Sequence, residues 1–499
     1  MSERRITYTF GPLERRGLLG PIQAGQVGLV AGGALVAIVL LDETPSAGGA
    51  LLAMAIVAVA LAASFAPLGG RTPQEWAPVA ATFAVRRLSR RARQISPAPG
   101  AGTVTRGLLH RRPPGLEGPD PAPPDGLHGV RIVQAAYRDR PIGALSERSG
   151  RRLTAVLACR VLAFGLLDAE AQERRLARWG LVLSGAGATS IRRLQWIERT
   201  APAQGDELAR WVHAERDPVV PLRGTPMIES YLELIGSTTR VTQEHEILLA
   251  IQVDGRRVRD RGAEAVAESL VRETERIAQR LRDAEVTVIG ALSAGQLARA
   301  LRTAFDPYAR GELSALDAAD PQRDGLAESG AWPLGSREAW DHYRSDGAVH
   351  ATYWIGAWPR VEVSAMFMDA LLGHSSSVRT AAVTFEPLAA ARSTREVEAA
   401  ITRDRADRDL RSRFGQSETA RQRQAREATA RRESELAAGH GEVRLSGFVT
   451  VSGRDRDDLR RACAEVLDQA ARARLELHRL YGQQADAFTF TLPLCRGLR

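Results

Sequence analysis

The sequence predicts an α+β protein: an N-terminal two-helix transmembrane hairpin, then cytoplasmic units in which helices pack on sheets, and a long helical arm. Three observations carry this. Residues 24–68 hold two almost uninterrupted apolar runs separated by the polar break Asp42–Ser46. Residues 130–499 alternate strand-like and helix-like patterns, with one strand–helix–strand order seen twice. Within them, residues 393–438 are rich in Arg, Glu, Ala and Gln and poor in apolar side chains.

Each apolar run is about 18–20 residues long, and at about 1.5 Å per residue it spans roughly 27–30 Å, the thickness of a bilayer's hydrocarbon core. The short break permits only a reversal, so both outer ends emerge on one side. Arg4, Arg5, Arg15 and Arg16 precede the hairpin and Arg71, Arg86, Arg87, Arg90, Arg91 and Arg93 follow it, whereas the break carries Asp42 and Glu43. By the positive-inside rule both termini are cytoplasmic and the chain crosses the inner membrane twice. A buried soluble hairpin competes with this reading, but soluble core helices rarely run so far without a charge. A cleaved signal peptide fits less well, because the second apolar run would stop transfer. Gly28 and Gly32, with Gly33 beside them, give a small-xxx-small spacing that lets the two helices pack closely.

Residues 1–23 form an N-terminal arm in which Ile6, Tyr8 and Phe10 alternate. In residues 69–94, Trp76, Val79, Phe83 and Leu88 recur near helical spacing. That predicts a basic amphipathic helix at the membrane surface, with Trp76, Phe83, Arg86, Arg87, Arg90, Arg91 and Arg93 meeting lipid. Residues 95–129, with SPAPGAG, HRRPPG and PDPAPPDG, are a Pro/Gly-rich linker.

The cytoplasmic region, 130–499, opens with strands at VRIVQAAY and PIGALSE, a turn at RSG and a returning strand at RRLTAVLACRVLAF. Asp168 caps a helix and IRRLQWIER resumes the sheet. Two helical stretches follow, Gln204–Glu215 and Thr225–Ile235. HEILLAIQV, a helix over 263–284 and EVTVIGAL make a strand–helix–strand unit. EVRLSGFVTVSG, a helix over 455–472 and RLELHRLY repeat it. Each resembles half of a split βαβ, ferredoxin-like sandwich. Between them lie a helix capped by Ser293, a tryptophan-rich stretch from Trp332 to Trp358 and the strand VRTAAVTFEPL. Ser393 and Glu396 have capping-box spacing and open the arm, a long helix or helical pair broken near Gly415.

Composition narrows the chemistry. The 68 basic residues include no lysine, which removes the P-loop lysine and any Schiff base. Much of the +9 net charge lies beside the apolar helices, where arginines meet anionic lipid, so nucleic acid is expected only as cargo. Cys159, Cys463 and Cys495 are scattered, which suits a reducing cytosol and suggests neither disulfide framework nor zinc site. Asp341, His342, Asp346 and His350 are the densest candidate metal or acid–base cluster. Their spacing fits no helical metal pair, with His342 expected on a helix and His350 opening a strand. The run SGAGATS from Ser184 to Ser190 leads into a strand rather than a helix, so it is a loop and not a phosphate cradle. No GxSxG or HExxH occurs. No cofactor, metal or catalytic residue is expected.

The final stretch, ARLELHRLYGQQADAFTFTLPLCRGLR, resembles the segment that closes the N-terminal domain of type IV secretion and conjugation ATPases of the TraC and CagE type. The hairpin, with GPLERRGLLGP before it and APLGGRTPQEW after it, resembles the PrgI-type two-helix membrane subunit of such systems. The whole is similar to an actinobacterial PrgI-like membrane protein fused to that domain. The chain stops at Arg499, where the ATPase would begin.

The resemblance implies a non-enzymatic inner-membrane scaffold, oligomeric in its complex, that joins other inner-membrane secretion subunits and recruits a separately encoded P-loop ATPase. It implies docking by the closing residues Phe488, Phe490, Leu492, Pro493, Leu494, Arg496, Leu498 and Arg499, although Phe488, Phe490 and Leu492 would equally suit the core face of a last strand. Two alternatives stand beside it: an EccE-like membrane component of type VII secretion, and a membrane-tethered, transferase-like enzyme using the Asp341–His350 region.

Overall fold

The structure is a computed structural model that describes residues 24–66, 72–89, 91–96, 122–138, 140–160, 164–202, 226–227, 229–230, 233, 243–260, 262–313, 325–359, 361–373, 375–413, 420–439 and 441–498. The N-terminal arm, Arg71, Arg90, Gly415, Arg499, the stretch 204–215 and most of 95–121 and 225–235 lie outside the described residues. Two compact units emerge, one from 24–92 with 394–437, the other from 93–393 with 438–498.

In the first unit, helices α1 (Ala24–Glu43) and α2 (Ala47–Phe65) are long and apolar enough to cross a membrane. The Ser46 hydroxyl accepts a hydrogen bond from Gly49 N at 3.0 Å and starts α2. The helices meet along small side chains, with Ala37, Ala53, Ala60 and Ser64 buried. A Cβ added at Gly33 would lie 2.6 Å from the Ala60 Cβ, whereas Gly28 and Gly32 have nothing within 4 Å. The close approach is therefore at Gly33, and not at Gly28 and Gly32 as the spacing suggested. A four-residue spacing defines a stripe without saying which stripe faces the neighbour. Leu35, Ile38, Leu51, Met54 and Val59 stay exposed, an outward apolar surface that suits lipid and that a soluble hairpin would have to cover.

Helix α3 (Pro73–Leu88) starts where Thr72 N donates to Glu75 Oε2 at 3.0 Å. It departs from the expected surface helix in two ways. Phe83 is buried and Trp76 half-buried, while Val85 and Leu88 are exposed. Arg93 also leaves the helix altogether to open strand β1 (Arg93–Ile95).

The second unit contains β2 (Arg131–Tyr137), β3 (Arg140–Glu147), β4 (Arg152–Arg160), α4 (Ala169–Ala186), β5 (Ile191–Pro202), β6 (Gln243–Asp254), α5 (Ala263–Asp283), β7 (Thr287–Ala291) and α6 (Ala294–Phe305). It continues with β8 (Gly335–Glu338), β9 (Tyr343–Ser345), β10 (Ala348–Ala357), α7 (Asp369–Leu372) and β11 (Val378–Pro387). After the arm come β12 (Val443–Gly453), α10 (Arg456–Arg472), β13 (Glu476–Arg479) and α11 (Gln484–Phe488). The arm is a helical pair, α8 (Ala390–Arg413) and α9 (Ala420–Ala437), linked by Arg432 and Glu396 at 4.0 Å. Helix α8 begins ahead of Ser393. That serine is fully buried and its hydroxyl donates to Ala389 O at 3.5 Å, so it is not the N-cap.

The thirteen strands among the described residues join one sheet, in the order β1-β8-β9-β10-β12-β11-β5-β6-β4-β3-β2, with β13 on β10 and β7 on β4. The order is pseudo-symmetric about the β11–β5 pair, where Ala382 opposes Ile197, with five strands beyond β11 and four beyond β5. On one side β4 lies antiparallel between β6 and β7; on the other, β10 lies antiparallel between β12 and β13. Both expected strand–helix–strand units thus form. They do not make separate sandwiches, because β5 and β11 zip them into a continuous sheet.

Alternation along the strands sends side chains to two covered faces. Leu249 and Ile251 pack with Val182 of α4 and Ile277 of α5, while Leu248 and Ala250 pack with Leu297 and Phe305 of α6. In the other half Val449 and Val451 meet Leu459 and Val466 of α10. The linker is shorter than its composition implied, since Leu127 is buried in the core and Gln94 Nε2 donates to Ala122 O at 2.8 Å.

Candidate functional site

Of the closing residues, Phe488 and Leu492 take the core placement weighed for them beside docking, and Pro493 and Leu494, expected to offer a partner a surface, are buried in the sheet unit as well. Phe488 ends α11, Thr489–Thr491 form a turn of 3-10 helix, and the chain then extends across β12, β11, β5 and β6. Phe488 (2 % exposed), Leu492 (0 %) and Leu494 (0 %) are core residues. Pro493 is buried too, and Phe490, Arg496 and Leu498 are half-buried. The backbone from 490 to 498 has no strand partner, so side chains must satisfy it. Gln195 Nε2 donates to Phe490 O at 2.7 Å and Gln195 Oε1 accepts from Cys495 N at 2.8 Å. Gln252 Nε2 donates to Leu494 O at 3.1 Å, and Thr384 Oγ1 to Arg496 O at 3.0 Å. Arg193 donates to Cys495 O (3.2 Å) and Leu498 O (3.0 Å). Arg496 pairs with Glu147, Nε to Oε1 at 2.9 Å, and donates to Gly126 O at 2.6 Å. A segment held this way completes the fold and leaves little of itself for docking.

The sequence did contain a signal for this. Gln195, between Leu194 and Trp196, and Gln252, between Ile251 and Val253, stand between apolar neighbours on their strands and are almost fully buried. A buried amide needs partners, and here the partner is a passing backbone.

The Asp341–His350 residues do not converge. Nε2 of His350 donates to Phe305 O at 3.0 Å and its Nδ1 accepts from the Ser452 hydroxyl at 2.8 Å. Burial pushes its pKa down to about 4, so it sits neutral in the core. His342 Nδ1 lies 2.7 Å from Asp341 Oδ1 in the turn between β8 and β9, not on a helix. Asp346, with a left-handed φ of 44°, accepts from Gly335 N at 2.9 Å and pairs with Arg302. Among the described residues no three His, Cys, Asp or Glu side chains gather as metal ligands. Cys159, Cys463 and Cys495 are buried free thiols, and burial raises Cys159 to about 11. The Ser184–Ser190 run leads into β5 as expected, but Ser184–Ala186 are the last turn of α4 and only 187–190 are a loop.

Taken together, these features define a chain with a membrane-length apolar hairpin and a folded unit built on one wide antiparallel sheet. Residues 234–355 match the family model described as "Putative type VII ESX secretion system translocon, EccE". The matched stretch carries β6, α5, β7, α6 and the hairpin strands up to most of β10. In this part the chain is similar to a secretion-system membrane component. No curated protein matches the chain. Nothing in these comparisons supports the PrgI-like or TraC-like resemblance of the two ends.

Proposed function

We propose that the chain is a non-enzymatic scaffold of a secretion apparatus of the type VII kind, anchored in the inner membrane by α1 and α2 with both termini cytoplasmic. The observation that carries this is the match of residues 234–355 to the EccE translocon family, in the same chain as two helices of membrane-spanning length. The type IV resemblance is compatible with a scaffold role but rests on the ends alone. The absence of lysine argues that a separately encoded ATPase supplies the motor. Because the closing segment is committed to the core, the α8–α9 arm is the better surface for recruiting that ATPase. Among the described side chains of the arm, Ser393, Val397, Ala400 and Thr429 are buried and most of the others are exposed and polar, which leaves a polar face for a partner.

The test replaces residues 394–437 by a short Gly/Ser linker in the full-length protein and purifies it from its own membranes. Membrane insertion and the sheet unit should persist while the ATPase no longer co-purifies. Full recovery of the ATPase with the replaced arm would reject the arm as the dock. ATP turnover by the purified protein that disappears on His342→Ala would reject the non-enzymatic reading.

A further inference from the structure

We infer that the outer edge of β2 is a docking site for an extended, acidic segment of a partner polypeptide, which joins the sheet as one more strand. The two halves of the sheet provide an internal control. Outward from the central pair, one half reads β5-β6-β4-β3-β2 and the other β11-β12-β10-β9-β8, with β7 on β4 matching β13 on β10. The edge of β8 is covered, because β1 pairs with it antiparallel, Arg93 opposite Arg337 and Ile95 opposite Gly335. Its counterpart β2 pairs with β3 alone among the described residues.

Two hydrogen bonds show which way the backbone of β2 points. Ile132 N donates to Glu328 Oε1 at 2.9 Å rather than to Leu145, the residue opposite it on β3. Gly143, opposite Gln134, sends its N–H the other way, to Leu292 O at 2.8 Å. Antiparallel ladders alternate between hydrogen-bonded and non-hydrogen-bonded pairs. Ile132, Gln134 and Ala136 are therefore non-bonded members, and their N–H and C=O groups point out of the sheet edge. Glu328 satisfies the first N–H. Those of Gln134 and Ala136 have no partner among the described residues, and both residues are exposed. Natural edges are commonly guarded by proline, by a bulge or by being very short. Strand β2 is seven residues long, RIVQAAY, and its register with β3 is unbroken from Arg131 to Tyr137. Donors and acceptors alternating at strand spacing match another polypeptide backbone.

Charge selects the segment. Arg131 and Arg138 are exposed at the two ends of the edge, and the Arg272 guanidinium of α5 lies 5.5 Å from the centre of the Tyr137 ring. None of these arginines has an ion pair among the described residues. Glu275 is taken by Arg140 at 3.0 Å. Glu268, one turn before Arg272 on α5, and Asp139, which lies outside the described residues, leave the rim with positive charge in excess. Carboxylates near the ends of an added strand would meet Arg131 and Arg138. A second copy of the chain would instead bring a second set of the same arginines. This docking edge rests on neither the scaffold reading nor the arm.

The experiment uses the full-length protein in neutral detergent and a blocked peptide that alternates threonine and valine between glutamates at each end. A second peptide carries glutamine in place of glutamate. The acidic peptide should bind below about 1 mM, slow hydrogen exchange at Gln134 and Ala136, and bind at least about threefold more tightly than the glutamine peptide. Gln134→Pro removes one outward N–H and leaves the ladder with β3 intact, so it should weaken binding at least about tenfold. Arg131→Gln/Arg138→Gln should erase the preference for the acidic peptide, whereas Arg460→Gln/Arg461→Gln, on α10, should keep it. The inference is overturned if the acidic peptide does not bind below about 1 mM, if the two peptides bind equally, or if a folded Gln134→Pro protein binds like the wild type. Concentration-dependent dimerisation that Gln134→Pro abolishes would assign the edge to a second copy and overturn it too. Should Gln134→Pro fail to fold, the arginine variant decides, and an unchanged preference there overturns the inference.

Discussion

The ring of Phe488 lies 4.7 Å from that of His350, and this contact ties the closing segment to the strand that the second split unit is built around. Phe305 at 5.1 Å and Tyr343 at 5.2 Å complete the aromatic cluster. Three separate stretches of chain therefore share one packing centre.

Phe488→Ala should cost about 3–5 kcal/mol of stability, the usual range for emptying a buried aromatic site. Chemical denaturation of the full-length protein in detergent measures it. A loss under about 1 kcal/mol would contradict the packing described. Removing Leu494–Arg499 should unfold the sheet unit rather than merely free a partner, which limited proteolysis would detect.

Acid should weaken the sheet unit in two stacked windows. His350 has a folded pKa lowered to about 4, so the unfolded chain gains a proton first. The resulting loss of stability begins as pH falls below the ordinary histidine value of about 6.5 and is complete near 4. Glu465 is lowered to about 2. Burial opposes that shift, but the hydroxyls of Ser377, Ser376 and Ser375 outweigh it. Its contribution is present above the ordinary carboxylate range and is lost as pH falls through about 2. His350→Asn should flatten the upper window and Glu465→Gln the lower one in plots of unfolding midpoint against pH. Unchanged slopes would remove both assignments.

Gly33→Val should disrupt the hairpin, because its side chain would collide with Ala60. Gly28→Val and Gly32→Val, with open space at those positions, should be tolerated. Thermal stability in detergent discriminates the three, and equal effects would count against the α1–α2 packing.

Reporter fusions should place the C-terminus in the cytoplasm and Thr44 outside. A cytoplasmic Thr44 would reject the positive-inside orientation drawn from the flanking arginines.

Most elements were legible in the sequence because each announces itself locally. Alternation marks HEILLAIQV, and Asp168, Ser293 and Asp455 mark helix starts, each accepting from a backbone N–H in the structure. The β5–β11 pairing was not legible, since a partner about two hundred residues away leaves no local trace. The closing segment misled for a different reason. Phe488, Phe490 and Leu492 alternate like a strand, yet Phe488 ends α11, Phe490 sits in a 3-10 turn held by Gln195, and Leu492 begins the extended tail held by Gln195 and Gln252. The arm's start was misplaced because Ser393 and Glu396 have the spacing of a cap but lie inside the helix.

The Arg496–Glu147 ion pair joins residues 349 positions apart. At about 5–20 residues per second, a ribosome needs roughly 20–70 seconds to traverse that interval. Once β6 has been made, the face of β5 and β6 that receives the closing segment stays uncovered for the rest of that interval. The nascent chain is thus left with an unfinished core. That interval is when a chaperone, or the assembling machine itself, has access to Gln195 and Gln252.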